Sequence, residues 1–240
     1  MINEILRLVT DKYDRRARLY PALLAALPAS LLALALAPAL PSAAALGSVI
    51  VASGLPILAM HFARSSGKRL ESKLYSDWGG RPTTALLRFS GAGNRTQVQR
   101  RHALLQRLVG ASPTMPTAAA ERSAPRKADD IYDTAVGALR EATRDKLKFN
   151  LVFAELCDYG YRRNLVGLKP VGLALTVLSL LGAAGLHVFS PGLVPALDLG
   201  LIAVVDLAMV IWWLAGATQN WVKESAYAYA ETLMAALEKI

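Results

Sequence analysis

Two aspartates interrupt the most apolar part of this sequence. From Pro170 to Val222, Asp198 and Asp206 are the only residues that carry a formal charge at neutral pH. An ionised carboxylate at the centre of a bilayer costs at least ~3 kcal/mol on insertion scales. Such side chains therefore face other helices or water, and they commonly mark a functional site.

Asp206 lies near the middle of the last apolar segment, at a depth similar to that of Thr176 and Ser179 on the segment before it. Three interpretations are open: a polar lock between two helices, a neutral protonated acid, or a pore-facing ring made by several copies. Asp198 lies near the start of the same segment, at the depth of His187. We predict that these two side chains pair close to the outer surface.

A basic segment follows the first apolar block. Ten lysines and arginines occur between Arg64 and Arg107, against Glu71 and Asp77. Anionic lipid headgroups would attract such a segment, at about 1 kcal/mol for each basic residue near the surface. The alternative is a pocket for a phosphorylated ligand, because the fork of a guanidinium matches phosphate oxygens. The candidates for that pocket are Arg81, Arg88, Arg95, Arg100 and Arg101.

Other chemistry has little support. Aromatic residues do not alternate with the basic ones, as a stacking platform for nucleic acid would need. His61, His102 and His187 show no metal-ligand spacing, and Cys157 has no second thiol. The loop "SGAGNRTQ" (Ser90 to Gln97) is similar to a phosphate-cradling loop, but it lacks the Lys-Ser/Thr ending and a preceding strand, which favours a simple turn. We therefore expect no catalytic residue, metal or cofactor, and no enzymatic activity.

The elements that position these residues are predicted to be membrane-spanning helices. No Lys, Arg, Asp or Glu occurs from Leu19 to Ala63, a stretch about twice the ~20 residues that one span needs. With the block that begins at Pro170 and breaks at "FSPG", this predicts two hairpins and an all-α, four-span protein. The predicted spans are 20–40, 43–63, 171–189 and 193–217. The small residues of "SAAALG" fit a signal-peptide cleavage site, but the long, charged region before them argues against cleavage.

Charge predicts the orientation of the spans. All 27 Lys and Arg residues lie outside the two hairpins and their connections. The positive-inside rule then places both termini and the whole central segment in the cytoplasm, with the hairpins (19–63 and 170–218) in a bacterial inner membrane.

Three cytoplasmic parts follow from this topology: an arm (1–18), a basic helical domain (64–169) and a C-terminal helix (219–240). In the domain, a helix is predicted to end at Gly79 and Gly80, a mobile linker spans about 110–126, and one long helix runs from Asp129 to about Tyr161. Apolar residues of the C-terminal helix recur at spacings of four and three, as in a heptad seam. This seam consists of Val222, Ala226, Tyr229, Leu233, Ala236 and Ile240. Self-association and packing on the long central helix explain the seam equally well.

Two motifs flank the central segment. "LYSDWGGRPTTALLR" (Leu74 to Arg88) follows the second predicted span, and "YGYRRN" (Tyr159 to Asn164) precedes the third. With this layout the chain resembles the four-span membrane effectors of bacterial anti-phage nucleotide-signalling systems, which have a Trp and Pro motif and an Arg and Asn motif in these places. The resemblance implies a role in antiviral defence, and no functional residue is carried over from it.

These observations predict a homo-oligomeric membrane protein that contacts anionic headgroups. Its cytoplasmic helices would sense a cytosolic protein or a nucleotide ligand and alter the spans, opening a pore or disrupting the membrane. A membrane anchor that recruits a cytosolic partner through its helices is the alternative. A small transporter is the third interpretation, although Asp206 has no counterpart in the first hairpin.

Overall fold

A computed structural model of the chain describes residues 11–39, 47, 55–91 and 93–240. Every regular element in these ranges is helical, which confirms the all-α prediction. The elements are α1 (Lys12–Ala39), α2 (Leu55–Asp77), α3 (Pro82–Ala85), α4 (Arg95–Val109), α5 (Ala118–Ser123), α6 (Pro125–Ala142), α7 (Asn150–Phe189), α8 (Ala196–Ala215) and α9 (Gln219–Ala235), with a final 3₁₀ turn at Ala236–Lys239.

Helices α1, α7 and α8 are long and apolar enough to cross a membrane. They contain the predicted spans 20–40, 171–189 and 193–217, except for residue 40 and the margins of the last span. The predicted second span, 43–63, falls mostly outside the described residues, as do residues 1–10 of the predicted arm. Within the described part, α2 covers the end of that second span.

The predicted boundary between arm and first span is not a break in the helix. Helix α1 continues from Lys12 into the apolar segment through one π-helical turn, Arg15–Leu19, in which the Tyr20 N–H bonds the Arg15 carbonyl. This turn comes just before Pro21, which lacks an N–H, and local π turns are a common way to continue a helix past such a disturbance.

The chain forms two compact units. Unit 1 comprises Met1–Glu71 and Gly160–Val222, and unit 2 comprises Ser72–Tyr159 and Lys223–Ile240. The predicted cytoplasmic domain and C-terminal helix thus share residues with unit 2, whereas the predicted spans that are described belong to unit 1.

In unit 1, α7 and α8 each present one buried stripe at helical spacing. The stripe of α7 is Gly172, Thr176, Ser179 and Ala183, and that of α8 is Leu199, Ile202, Asp206, Met209 and Trp213. Leu31 and Leu32 of α1 pack on the cluster that includes Ala183 and Ile202. The opposite faces carry Leu178, Leu181, Val204 and Ile211, all more than half exposed. Apolar side chains of this size cover a surface suited to lipid rather than water.

Glycine allows α2 and α7 to cross closely in unit 1. A Cβ atom on Gly167 would lie 2.7 Å from the backbone nitrogen of Gly67 and 2.7 Å from the carbonyl carbon of Ser66. Small residues permit this approach at helix interfaces in membranes. Any larger side chain at residue 167 would push the two helices apart.

Unit 2 has a separate core. Its largest fully buried apolar side chains are Leu74, Leu87, Leu105, Tyr132, Leu139 and Leu233. Helix α2 stops at the predicted position, where Gly79 and Gly80 have φ values of +73° and +132° and the Gly80 N–H bonds the Tyr75 carbonyl at 2.8 Å. Glycine adopts these values at little steric cost.

Two sequence predictions in unit 2 need correction. The segment predicted as a linker contains α5, whose first turn is capped by Thr117 Oγ1 accepting from the Ala120 N–H at 3.2 Å. The predicted long helix is two helices, because Asp145 Oδ1 accepts the N–H groups of Leu147 and Lys148 at 2.8 and 3.1 Å. A side chain that bonds the backbone in this way competes with a continuous helix and starts a new one.

Candidate functional site

Asp206 is buried inside unit 1. It is 0% exposed, and neither carboxylate oxygen has a hydrogen-bond partner among the described residues. The face that places it inside, with Ile202, Met209 and Trp213, is the packed stripe of α8. A charge withdrawn from water without a partner is among the most costly features a helix bundle can hold.

Thr176 and Ser179 are buried, but their hydroxyls bond other groups. Thr176 Oγ1 donates to the Gly172 carbonyl of its own helix at 2.7 Å. Ser179 lies next to Asp206, yet the hydrogen bond with good geometry runs from its Oγ to the Pro28 carbonyl of α1 at 3.1 Å. The predicted polar lock between Asp206 and these two hydroxyls is therefore incomplete.

A second unpaired polar atom lies on the same face of α8. Trp213 is fully buried against Gly172, and its Nε1–H has no partner in the described part of the chain. Seven residues separate it from Asp206, which is roughly 10 Å along a helix. The inner face of α8 thus holds an acceptor and a donor, neither of which is satisfied by a side chain that the structure describes.

The predicted pair of His187 and Asp198 is not formed. Both side chains are exposed, and no hydrogen bond or ion pair within the described ranges joins them. Asp198 shares a helix face with the exposed Leu201 and Val205, so it points away from the stripe that packs on α7.

A buried polar junction in unit 1 was missed at the sequence level. Arg163 Nη1 donates to Glu71 Oε1 at 2.8 Å, and two further Arg163 nitrogens donate to Asn164 Oδ1 at 3.2 and 3.1 Å. Asn164 Nδ2 then donates to the Ala17 carbonyl at 2.6 Å. This junction joins α1, α2 and α7. In the sequence, Arg163 and Asn164 stood out only as part of the motif "YGYRRN".

The neighbouring arginine, Arg162, contacts a cluster of aromatic side chains. Arg162 lies over the Trp221 ring at 5.0 Å and donates to the Trp221 carbonyl at 3.1 Å. Tyr161 and Trp212 pack edge-on against the same indole. Clusters of aromatic and basic residues of this kind occur at membrane boundaries.

The five predicted ligand-binding arginines do not converge on one point. Arg88 forms a two-bond pair with Asp129 at 2.8 Å for each bond, and this hydrogen bonding raises the pKa of Arg88. Arg81 pairs with Asp133 at 2.7 Å. Arg100 pairs with Glu238 at 2.6 and 2.8 Å, and the pKa of Arg100 is raised by that bond. Carboxylates of the chain itself therefore occupy three of the five.

Arg95 and Arg101 differ from these three. Arg95 is exposed, with no ion pair or hydrogen bond to its side chain in the part of the chain that the structure describes. Arg101 is half-buried and donates from Nη1 to the Leu86 carbonyl at 3.1 Å. Burial lowers the pKa of Arg101, and the charge of Glu231 opposes that shift.

A fully satisfied carboxylate lies at the centre of unit 2. Glu121 is 3% exposed and accepts the N–H groups of Phe89 and Ser90 and the hydroxyl of Tyr132, each at 2.8 Å. Burial raises the pKa of Glu121, but these three hydrogen bonds outweigh burial and leave the pKa below its usual range. Burial and the bond to Glu121 both raise the pKa of Tyr132.

His102 is buried beside this carboxylate. Its ring packs on Phe89 and Tyr132 at 4.8 and 5.1 Å, and Nε2 bonds the Leu87 carbonyl at 2.7 Å. Burial lowers the pKa of His102, and the Leu87 carbonyl and Glu121 charge only partly oppose that effect. In the sequence His102 was only a histidine in a basic helix.

The predicted C-terminal seam is mostly covered by the chain itself. Val222, Ala226, Tyr229, Leu233 and Ala236 are buried, and Ile240 is 52% exposed. In unit 2 the Tyr229 ring stacks on Tyr159, with centroids 6.4 Å apart and planes at 8°. Packing within the chain, the second interpretation of the seam, describes these five positions.

No group of three or more His, Cys, Asp or Glu side chains in the described ranges could hold a metal ion. In comparisons with known proteins, no family model matches the chain, no curated protein matches it, and no solved structure matches it.

Proposed function

We propose that this chain is a four-span, non-enzymatic protein of a bacterial inner membrane that admits protons or small monovalent cations at Asp206. Its helical unit 2 binds an anionic ligand or a cytosolic partner and controls that movement. On the basis of its resemblance in layout, we propose that the chain acts as a homo-oligomeric membrane effector in antiviral defence.

The observation that carries this proposal is the buried carboxylate of Asp206, for which the described residues supply no hydrogen bond of good geometry. A side chain kept only as a lock would be bonded by its neighbours, whereas the hydroxyls of Thr176 and Ser179 bond backbone carbonyls instead. A carboxylate in an apolar interior must be neutralised, and a proton or a cation is what these surroundings leave to do so.

A buried hydroxyl lies beside the acid. Ser179 is next to Asp206, and its Oγ donates to the Pro28 carbonyl at 3.1 Å. Hydroxyl and carboxylate oxygens are among the ligands that hard cations prefer. Ser179 Oγ is therefore a second candidate ligand for a cation at Asp206.

The position of Asp206 inside one chain bears on how a path would form. The ring interpretation needs a carboxylate that faces a central axis between copies, but Asp206 packs within unit 1 of its own chain. We propose instead that each chain carries its own cation site and that rotation of α8 exposes Asp206 when the path opens. The anchor interpretation has less support, because recruitment of a partner through the cytoplasmic helices would not require a buried carboxylate at Asp206.

Asp198, on the exposed face of α8, supplies a matched control. Cells that overproduce the original protein should depolarise, as measured with a potential-sensitive dye, and the Asp198→Asn variant should behave in the same way. At equal protein levels Asp206→Asn should abolish or strongly reduce depolarisation, since the amide keeps the shape and removes the charge. Equal depolarisation by Asp206→Asn and the original protein would refute the proposal.

The four-span topology has its own test. In a Cys157→Ser background, a cysteine at the exposed residue Ser190 should react with an impermeant thiol reagent outside the cell, and one at Ala119 should not. Labelling of Ala119→Cys in intact cells would reverse the proposed orientation.

A further inference from the structure

A cavity of about 360 Å³ in unit 2 lies between the loop that follows Arg88 and the start of α4. Its polar lining consists of Arg88, Ser90, Asn94, Gln97, Arg101 and Tyr227. None of its described lining residues is a carboxylate. The cavity is large enough for a small ligand and carries only positive formal charge.

Arg101 lines this cavity without a direct ion pair among the described residues, although the charge of Glu231 acts on it from outside the cavity. Arg88, the other cation in the lining, already bonds both oxygens of Asp129. For Arg101, no carboxylate of the described residues lies within ion-pairing distance, and its one hydrogen bond is to a neutral carbonyl. A guanidinium stays charged in proteins, so a half-buried one without an anion is incompletely satisfied.

The surrounding groups suit an anion with several oxygens. Tyr227, Asn94 and Gln97 contribute hydroxyl and amide groups to the lining, and Gly91 and Gly93 complete it. A guanidinium with nearby donors is the arrangement that recognises phosphate oxygens. The positive end of the α4 dipole adds to the attraction.

A neighbouring cavity shows the opposite balance. It has a volume of about 510 Å³ and is lined by Arg100 and Arg101 together with Glu231 and Glu238. Glu238 pairs with Arg100, and Glu231 lies near enough to favour the charged form of Arg101 without forming an ion pair with it. Arg101 lines both cavities, and carboxylates line only the larger one, so an anion would meet less repulsion in the smaller cavity.

We propose that the smaller cavity binds a phosphate group, with Arg101 as its main charged contact and with Ser90, Gly91, Gly93 and Asn94 along one wall. These four residues belong to a segment that the sequence pattern predicts to be a simple turn, and the proposal gives them a binding role. The inference deepens the proposed function, in which unit 2 binds an anionic ligand. Its test measures binding and not ion movement, so each can fail without the other.

The first test uses the full chain in phosphatidylcholine nanodiscs, with pyrophosphate binding measured by calorimetry. Arg101→Gln should weaken binding roughly 10- to 100-fold, as expected for loss of a charge-assisted hydrogen bond. Arg95→Gln removes the same charge from the same helix, at an exposed residue outside the cavity, and should change affinity less than about threefold. Equal losses in the two variants, or no binding by the original chain, would overturn the proposal.

A second pair of variants tests the site independently of whether Arg101→Gln folds. Gln97 is the third residue of α4, three after the N-cap Asn94, where Glu favours the helix. Gln97→Glu should therefore keep or raise thermal stability while its charge in the cavity weakens pyrophosphate binding about tenfold or more. Gln99→Glu, exposed on the same helix and outside the lining, should have little effect. Unchanged binding by Gln97→Glu would contradict the proposed site.

The same nanodiscs distinguish a lipid headgroup from a soluble phosphate. If the phosphate belongs to a lipid, adding phosphatidic acid to the discs should compete with pyrophosphate in the original chain and not in Arg101→Gln. If the ligand is soluble, pyrophosphate affinity should be unchanged by phosphatidic acid at constant ionic strength. Competition that persists fully in Arg101→Gln would show headgroup attraction elsewhere and would count against the cavity.

Discussion

Asp206 in unit 1 and Glu121 in unit 2 are both carboxylates withdrawn from solvent, but their surroundings differ. Glu121 accepts three hydrogen bonds, whereas neither oxygen of Asp206 has a partner among the described residues. A satisfied buried carboxylate contributes to stability, and an unsatisfied one costs stability and persists when function requires it. We therefore assign Glu121 a structural role and Asp206 a functional one.

The largest effect is expected at Glu121. Glu121→Ala would leave the N–H groups of Phe89 and Ser90 and the Tyr132 hydroxyl without their acceptor, which should cost unit 2 about 3–5 kcal/mol. This loss can be measured by denaturant unfolding, monitored through hydrogen exchange of the α6 amides. Glu141→Ala is the control, because Glu141 is exposed and pairs only with Arg144, and it should cost less than about 1 kcal/mol. Similar losses in both variants would contradict the structural role.

The polar junction of unit 1 should respond almost as strongly. Arg163→Met removes the buried partner of Glu71 and leaves Glu71 its pair with the exposed Lys68. The variant should destabilise the detergent-solubilised protein by about 2–3 kcal/mol. The double variant Glu71→Met/Arg163→Met removes both charges and should recover much of that loss. If the double variant is destabilised by the sum of the effects of Glu71→Met and Arg163→Met alone, the ion pair is not the source of the effect.

Acid should destabilise unit 2 in two steps. His102 has a folded pKa below its ordinary ~6.5, so its contribution is complete above that pH and is lost as the pH falls through the folded pKa. Glu121, with a pKa below ~4.3, adds a loss at lower pH. Melting temperature between pH 7 and pH 5 should fall in the original chain and less in His102→Gln. His187→Gln, at an exposed residue, should follow the original, and identical slopes in all three would exclude His102 as the source.

The smallest stability effect is expected at Asp206. Asp206→Leu removes an unpaired carboxylate from an apolar interior, so thermal stability should be unchanged or raised. This result would complete the contrast with Glu121→Ala. A clear loss of stability would instead indicate that Asp206 acts as a lock between helices, as in the first interpretation of the sequence.

The sequence predicted the helices of unit 1 better than the contacts of their polar side chains. Uninterrupted apolar runs are enough to locate α1, α7 and α8, and depth alone places Thr176 and Ser179 near Asp206. Which atoms they bond depends on helix rotation and on the nearby carbonyls of Gly172 and Pro28, which no local pattern specifies.

Contacts between residues from distant segments were the features that the sequence did not predict. Arg163 and Asn164 meet Glu71 and the Ala17 carbonyl only because α2 and α7 cross closely at Gly67 and Gly167. Glycines at one crossing are a sequence signal for such contact, but they do not identify the partner. In unit 2, the Thr117 cap and the single carboxylate of α5 were masked by a composition typical of linkers.

Cation flux through purified protein tests the central claim most directly. The original chain, Asp206→Asn and Asp198→Asn would be reconstituted at equal density in proteoliposomes that hold a potassium gradient and a pH-sensitive dye, with and without pyrophosphate. We expect flux with the original chain and Asp198→Asn, and a reduction of at least about tenfold with Asp206→Asn. Equal flux in all three samples, or none in the original chain under either condition, would contradict the assignment of Asp206 as the cation site.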